Sequence, residues 1–213
     1  MERPQGPRKL FAWFQLIVVY ALIEGALWSP RMAVRNRWAL GAALIVVGFL
    51  LLDRPSLKRL GLSPPVTAGA VTGLVLSFAA AVVLALTVMS PGGQIAARSV
   101  LPYLYSSIGY LIWALIQEFL LQSFFFTRCE EVFGGSAAVW AAATLFAAAH
   151  LPSLILTTFT LAGGLFFCEL FRRYRTVYPI AIVHAALGLT VATTMPDSLL
   201  HHMRTGIGYL NYH

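Results

Sequence analysis

The feature that most constrains this chain is a succession of long apolar runs joined by short charged segments. The runs are Leu10–Trp28, Trp38–Leu52, Val66–Met89, Tyr103–Phe126, Ala137–Leu151, Leu154–Phe171 and Ile180–Met195. A helix needs about 20 apolar residues to cross the hydrocarbon core of a bilayer. The second run is short for this, which predicts an extended or tilted helix there. Of 213 residues, 59% are hydrophobic and 11% charged, whereas a soluble domain has about 45–50% and about 25%. A water-soluble core of this size cannot hide so many apolar side chains. The predicted class is an all-α polytopic transmembrane helix bundle of about seven spans, in one membrane domain over residues 1–213. Cys129 and Cys168 are the only cysteines and show no C-x-x-C spacing, so a disulfide scaffold is excluded.

The first run follows Arg8 and Lys9, as in a secretory signal. No small-residue cleavage site follows it and further runs do, so a retained span is expected. The net charge of +7 does not point to nucleic acid, because the cations sit in short loops between spans. With seven spans, one side holds Arg3, Arg8, Lys9, Arg54, Lys58, Arg59, Arg128, Arg172, Arg173 and Arg175. The other side holds Arg31, Arg35, Arg37, Arg98 and Arg204. The bias predicts a cytoplasmic N-terminus, and the short chain without an organelle signal suggests a prokaryotic plasma membrane. The stretches Asp53–Pro65 and Thr127–Ser136 read as polar loops, Pro91-Gly92-Gly93 as a loose connection, and 197–213 as a surface tail. Gly69 and Gly73 have G-x-x-x-G spacing, which permits close helix contact; small residues are also simply common in membrane helices.

Ionisable groups inside spans cost roughly 2.5–3.5 kcal/mol at a helix centre, so the few present are functional candidates: Glu24, Glu118, His150, Glu169 and His184. Glu169 lies one turn before Arg172 and Arg173 and reads as a paired interfacial residue. Glu24 is near a span end and can reach the headgroups. Glu118, His150 and His184 remain, on the fourth, fifth and seventh spans. A buried glutamate can polarise water, and histidines can stabilise an oxyanion or bind metal. Equally, the three can be unrelated helix–helix hydrogen-bonding groups.

The order of motifs favours convergence. The fourth span reads Gln117-Glu118-Phe119-Leu120-Leu121-Gln122, the fifth ends in F-x-x-x-H from Phe146 to His150, and the seventh begins at Pro179 and holds His184. With Leu60-Gly61-Leu62, this set resembles the CPBP family of intramembrane endopeptidases, the CAAX proteases and bacteriocin-processing enzymes. The resemblance implies a catalytic-motif core over 104–190. It implies that a first motif E-E-x-x-x-R activates water, while the histidines of F-x-x-x-H and H-x-x-x-N position water and stabilise the oxyanion. It implies no required metal or other cofactor. Phe146 and His150 match the second motif, and His184 the histidine of the third.

The chain departs from that pattern at three positions: Gln117 replaces the first Glu, Gln122 the Arg and Gly188 the Asn. An amide is no general base at neutral pH. Either Glu118 takes over as base, or the site has decayed into a non-catalytic membrane adaptor or immunity-type binder. Adjacent helix positions point ~100° apart, so a takeover by Glu118 requires a rotated helix or a differently built site. In the enzyme reading Glu118 activates water, His150 and His184 orient it and stabilise the oxyanion, and Gln117 and Gln122 hydrogen-bond within the pocket. The expected partners are the lipid bilayer and a membrane-anchored or transmembrane peptide or protein, with no nucleic acid.

Alternatives fit less well. A metal held by Glu118, His150 and His184 has acceptable ligand types, but H-E-x-x-H is absent. Gly134-Gly135-Ser136 is followed by Ala137 rather than the Gly of the rhomboid serine motif, and Asp53 and Asp197 lie at span ends, away from any aspartyl dyad. A transporter would line its spans with more polar residues. Glu130-Glu131 reads as a solvated pair, His201 and His202 as solvated, and Phe124-Phe125-Phe126 as packing.

Overall fold

A computed structural model describes residues 5–64, 67–89 and 100–212. Val66, the Pro91-Gly92-Gly93 connection, Arg3 and Arg98 lie outside the described residues. Among the described residues there are helices and no strands. The helices are α1 (Gln5–Leu27), α2 (Met32–Asp53), α3 (Ala68–Met89), α4 (Val100–Glu118), α5 (Thr127–Phe133), α6 (Gly135–Ala148), α7 (Leu154–Tyr174) and α8 (Tyr178–Thr194). A π-helical segment, Phe119–Phe126, joins α4 to α5. Gly6–Leu27, Met32–Asp53, Ser107–Phe133 and Leu154–Tyr174 are long and apolar enough to cross a membrane, and Val71–Ala80, Gly135–Ala148 and Tyr178–Ala192 are shorter apolar helices. The second run extends to 22 residues by taking in the polar start at Met32. Large apolar side chains such as Leu10, Leu44, Leu51 and Leu154 stand exposed, which suits a lipid-facing surface and not an aqueous one. The protein is an integral membrane protein, a polytopic helical bundle.

The π segment is the axis of the packing. Leu121 through Cys129 are all buried, and Phe124, Phe125 and Phe126 join Leu16, Val46, Ala142 and Phe171 in one core. An amphipathic helix buries a stripe; a run buried on every face must be surrounded by other helices. The close contact that Gly69 and Gly73 permit is not seen among the described residues: no described atom lies within 4 Å of a Cβ built at either. The close approach is at Gly164 of α7 instead, where a Cβ would meet the Ala143 backbone of α6 at 3.3 Å. The alanine-rich face of α6 provides the flat partner surface that such an approach needs.

The expected polar loop at Thr127–Ser136 is a correction. The helix runs on through α5 and breaks only at Gly134 and Gly135, whose φ values of +72° and +43° suit glycine. Thr127 and Arg128 are buried, and Arg128 donates to Gln15 Oε1 at 2.8 Å, Thr127 Oγ1 at 3.0 Å and Asp53 Oδ2 at 2.5 Å. Gln15 also donates to Asp53 at 3.0 Å. A polar cluster thus joins α1, α2 and α5, and its internal pairing is what permits the helix to continue. Glu130 and Glu131 bond Arg175 and Arg59, so they are paired helix residues and not solvated loop charges. At this same end Val177 N donates to Gly61 O at 3.1 Å, and Ser123 Oγ to Leu60 O at 2.6 Å. The segments after α2, α5 and α7 therefore share one end of the bundle, as an odd–even alternation of spans requires. At the opposite end the tail folds back: Gly206 N donates to Leu151 O at 2.7 Å, and a Cβ at Gly206 would collide with the Leu27 carbonyl. His201 stacks on Tyr209 with ring centroids 4.2 Å apart, so it packs within the tail.

Replacing Arg128 by Ala strands Gln15 and Asp53. The expected loss is about 2–3 kcal/mol, below the ~3–5 kcal/mol of a wholly buried pair, because 32% of the Asp53 side chain is exposed. Glu169→Ala, at a peripheral pair, costs under about 1 kcal/mol. Thermal unfolding of the two variants in one detergent checks the ranking.

Candidate active site

The site is built where α4 meets α8. Glu118 closes α4 and is fully buried. Its Oε1 lies 2.7 Å from His184 Nδ1, and its Oε2 accepts from Gln122 Nε2 at 3.0 Å. A carboxylate oxygen only accepts, so the shared proton belongs on Nδ1, and a neutral His184 presents its lone pair at Nε2. Pro179 at the first turn of α8 starts that helix and so sets the position of His184 one turn on. Of the pair, only the imidazole reaches the surface of the site: the His184 side chain is 12% exposed and that of Glu118 is 0% exposed.

Glu118 stands at the point where the α-helix gives way to the π segment. The sequence requires either rotation or a different construction if Glu118 is to serve in place of position 117. The structure shows a widened helix beginning at the next residue, with Gln122 still one turn away and bonded to the carboxylate. π turns within α-helices are frequently found at functional sites. Gln122 stands where the family pattern has a cation, so a neutral donor takes one carboxylate oxygen. Gln117, in contrast, is half-buried and makes no hydrogen bond among the described residues. Of the two glutamines, Gln122 alone hydrogen-bonds Glu118.

His150 lies in the turn just after α6. Its Nδ1 is 2.7 Å from the Phe146 carbonyl oxygen, which again can only accept and leaves Nε2 free. Phe146 stands between the two imidazoles, edge-on to His150 at 4.8 Å and to His184 at 5.9 Å between centroids. Phe167 stacks on His184 at 5.7 Å and 20°. Glu118, Phe146, His150 and His184 are therefore brought into one neighbourhood, with Glu118 touching His184 and the Phe146 ring linking the histidines. Among the described residues no group of three His, Cys, Asp or Glu side chains is placed to hold a metal ion. Outside the site, Glu169 is paired with Arg172 and Arg173 at 2.5–2.8 Å, as expected. Glu24 accepts from Trp28 Nε1 at 2.9 Å.

Gly188, one turn beyond His184, has no room for a side chain: a Cβ there would collide with the Tyr110 hydroxyl oxygen. Tyr110 was not a candidate from the sequence. An aromatic in an apolar helix carries no signal of its own, and only its fit into the space above Gly188 singles it out.

Residues 99–190 match the family model described as Rce1-like, type II CAAX prenyl endopeptidase Rce1-like. The match takes in α4, the π segment and α5 to α8 up to Thr190, and with them every residue of the site just described. The resemblance to the CPBP and CAAX proteases seen in the motifs is borne out over this segment, and that family is one of membrane proteases. Comparison with curated proteins and with solved structures returned no match.

Gln122→Leu keeps the volume and removes the donor to Glu118. Leaving a buried carboxylate oxygen short of a partner costs about 1–3 kcal/mol. A lowered melting temperature relative to the parent, with unchanged helical circular dichroism, is the expected reading.

Proposed function

We propose that this protein is an intramembrane endopeptidase that hydrolyses a peptide bond near the membrane-embedded or lipid-anchored segment of its substrate. The observation that carries this reading is the Glu118–His184 hydrogen bond, at 2.7 Å and buried within the segment that matches the protease family. Both oxygens of Glu118 are engaged and enclosed, so the carboxylate works through the imidazole. It holds the Nδ1 proton and steadies the charge that forms on the ring. A water at His184 Nε2 gives up one proton there, and its oxygen attacks the carbonyl carbon. The carbonyl π pair moves onto oxygen as an oxyanion. When that pair returns, the C–N bond breaks, and the amine nitrogen takes the proton back from Nε2. His150, its Nδ1 committed to Phe146, offers Nε2 as a second acceptor to orient the water. No metal or other cofactor enters this scheme. The N-terminus faces the cytoplasm of a prokaryotic cell, and the catalytic-motif core is residues 104–190.

The test uses purified protein in micelles with two internally quenched peptides, one ending in a farnesylated CAAX sequence and one of the same sequence without the prenyl group. Wild type is expected to cleave the prenylated peptide. Glu118→Ala and His184→Ala are expected to lose on the order of 10²–10⁴-fold in kcat/KM, with Glu169→Ala as the unaffected control. If wild type binds both peptides and cleaves neither, the non-catalytic binding reading stands, favoured by the amide at position 117.

The dyad scheme also predicts insensitivity to chelators. Exhaustive treatment with EDTA and 1,10-phenanthroline leaves the cleavage rate within about twofold of untreated protein. Loss of activity restored by added zinc would replace the dyad mechanism with a metal one.

A further inference from the structure

Resting on that reading, we infer that the Tyr110 hydroxyl is the hydrogen-bond donor to the oxyanion, taking the place of a side chain at position 188. Three observations lead to it. Gly188 lies four residues after His184 on α8, so both face the same side of the helix. Any side chain at 188 would lean back toward the turn that carries His184, since Cα–Cβ bonds tilt toward the helix N-terminus. That space is already filled, because the Tyr110 oxygen overlaps the Cβ position and the ring carbon bearing it stands only 2.6 Å away.

The arrangement places a hydroxyl against Gly188, one helical turn from His184 and on the same side of α8. Tyr110 is half-buried and Gly188 is buried, so the donor is held by packing and not by a mobile surface side chain. Tyrosine suits this role, because the ring fixes the oxygen with only two torsions and the O–H both donates and stays uncharged. Among the described residues the hydroxyl has no hydrogen-bond acceptor, so the proton is available to a ligand. His150 cannot make this contact while neutral, because its one N–H is spent on the Phe146 carbonyl. The dyad, the water-orienting histidine and the oxyanion donor then come from three different places: α4 with α8, the turn after α6, and α4 two turns upstream of Glu118.

Tyr110→Phe keeps the ring and removes the oxygen. The expected result is a fall in kcat of about 10²–10³ for the farnesylated peptide, the range for losing one oxyanion donor, with KM within about twofold. Gly188→Asn alone should fail, since its side chain collides with Tyr110, whereas Tyr110→Ala with Gly188→Asn should recover at least tenfold over Tyr110→Ala. Tyr178→Phe, whose hydroxyl bonds the Leu62 carbonyl at the other end of the site helix, is the control and should match wild type. A second measurement separates this inference from the hydrolase reading. Affinities are compared for a phosphinate peptide, a tetrahedral anion mimic, and for its amide counterpart. Tyr110→Phe should weaken the phosphinate at least tenfold and leave the amide unchanged. If Glu118→Ala abolishes cleavage while Tyr110→Phe changes neither kcat nor phosphinate binding, the tyrosine role is overturned and the hydrolase reading stands. If wild type neither cleaves peptide nor prefers phosphinate to amide, both are overturned.

Discussion

A carboxylate enclosed among apolar helices must be held by donors, because no water is at hand to solvate it. Glu118 meets that constraint with two, the Gln122 amide from its own helix and the His184 imidazole from α8. Much of the surrounding architecture serves this arrangement. The π segment begins where the carboxylate sits, Phe146 and Phe167 wall in His184, and Pro179 sets the start of the helix that brings the imidazole across. A hydrogen bond of this kind is worth more in a low-dielectric site than on a surface, and leaving it unmade costs more. The site is thus also a structural joint between α4 and α8.

A second polar system lies at the end of the bundle near α5. Arg128 with Asp53 and Gln15 ties α1, α2 and α5 together, while Arg175 with Glu130 and Arg59 with Glu131 link the ends of α7 and α2 to α5. The Arg175 guanidinium also covers the rings of Phe126 and Phe171 at 5.6 and 5.3 Å. These contacts hold the C-terminal end of the π segment in place as α4 holds its start. A π-helix is rare beyond a single turn, and anchoring at both ends gives a physical reason that this one persists.

The apolar runs were legible because a bilayer imposes a length and a composition, and among the described residues four long apolar helices and three shorter ones fall on them, the fourth running on to Phe133. Glu118, His150 and His184 were legible for the complementary reason: ionisable groups are so few in the spans that each one stands out. What could not be read is whatever depends on packing. The π segment lies in Phe119–Phe126, a run of mostly Phe and Leu whose periodicity is indistinguishable from that of an α-helix. Arg128 looked like a loop cation because its partners, Gln15 and Asp53, are 113 and 75 residues away in sequence. The small-residue contact fell at Gly164 and not at Gly69 and Gly73, since G-x-x-x-G states only that helices can approach, not that a neighbour is present.

The three motif departures look different once neighbours are known. Taken singly, Gln117, Gln122 and Gly188 each remove a group that the family pattern supplies. In space, two of them have a complement. The amide of Gln122 still donates to the carboxylate, and it does so without the charge that would bind Glu118 as an ion pair. The room vacated at Gly188 is filled by a hydroxyl carried on α4. A site drifting without constraint has no reason to bury an intact Glu–His contact, because an unneeded buried carboxylate costs stability and an apolar replacement of similar volume removes that cost. Gln117 has no such complement, and in the proposed scheme the proton path runs through His184 and does not pass through it. In the proposed scheme the substitutions read as a shift of the functional carboxylate by one residue, accompanied by a change of its partners, with the imidazole of His184 as the base.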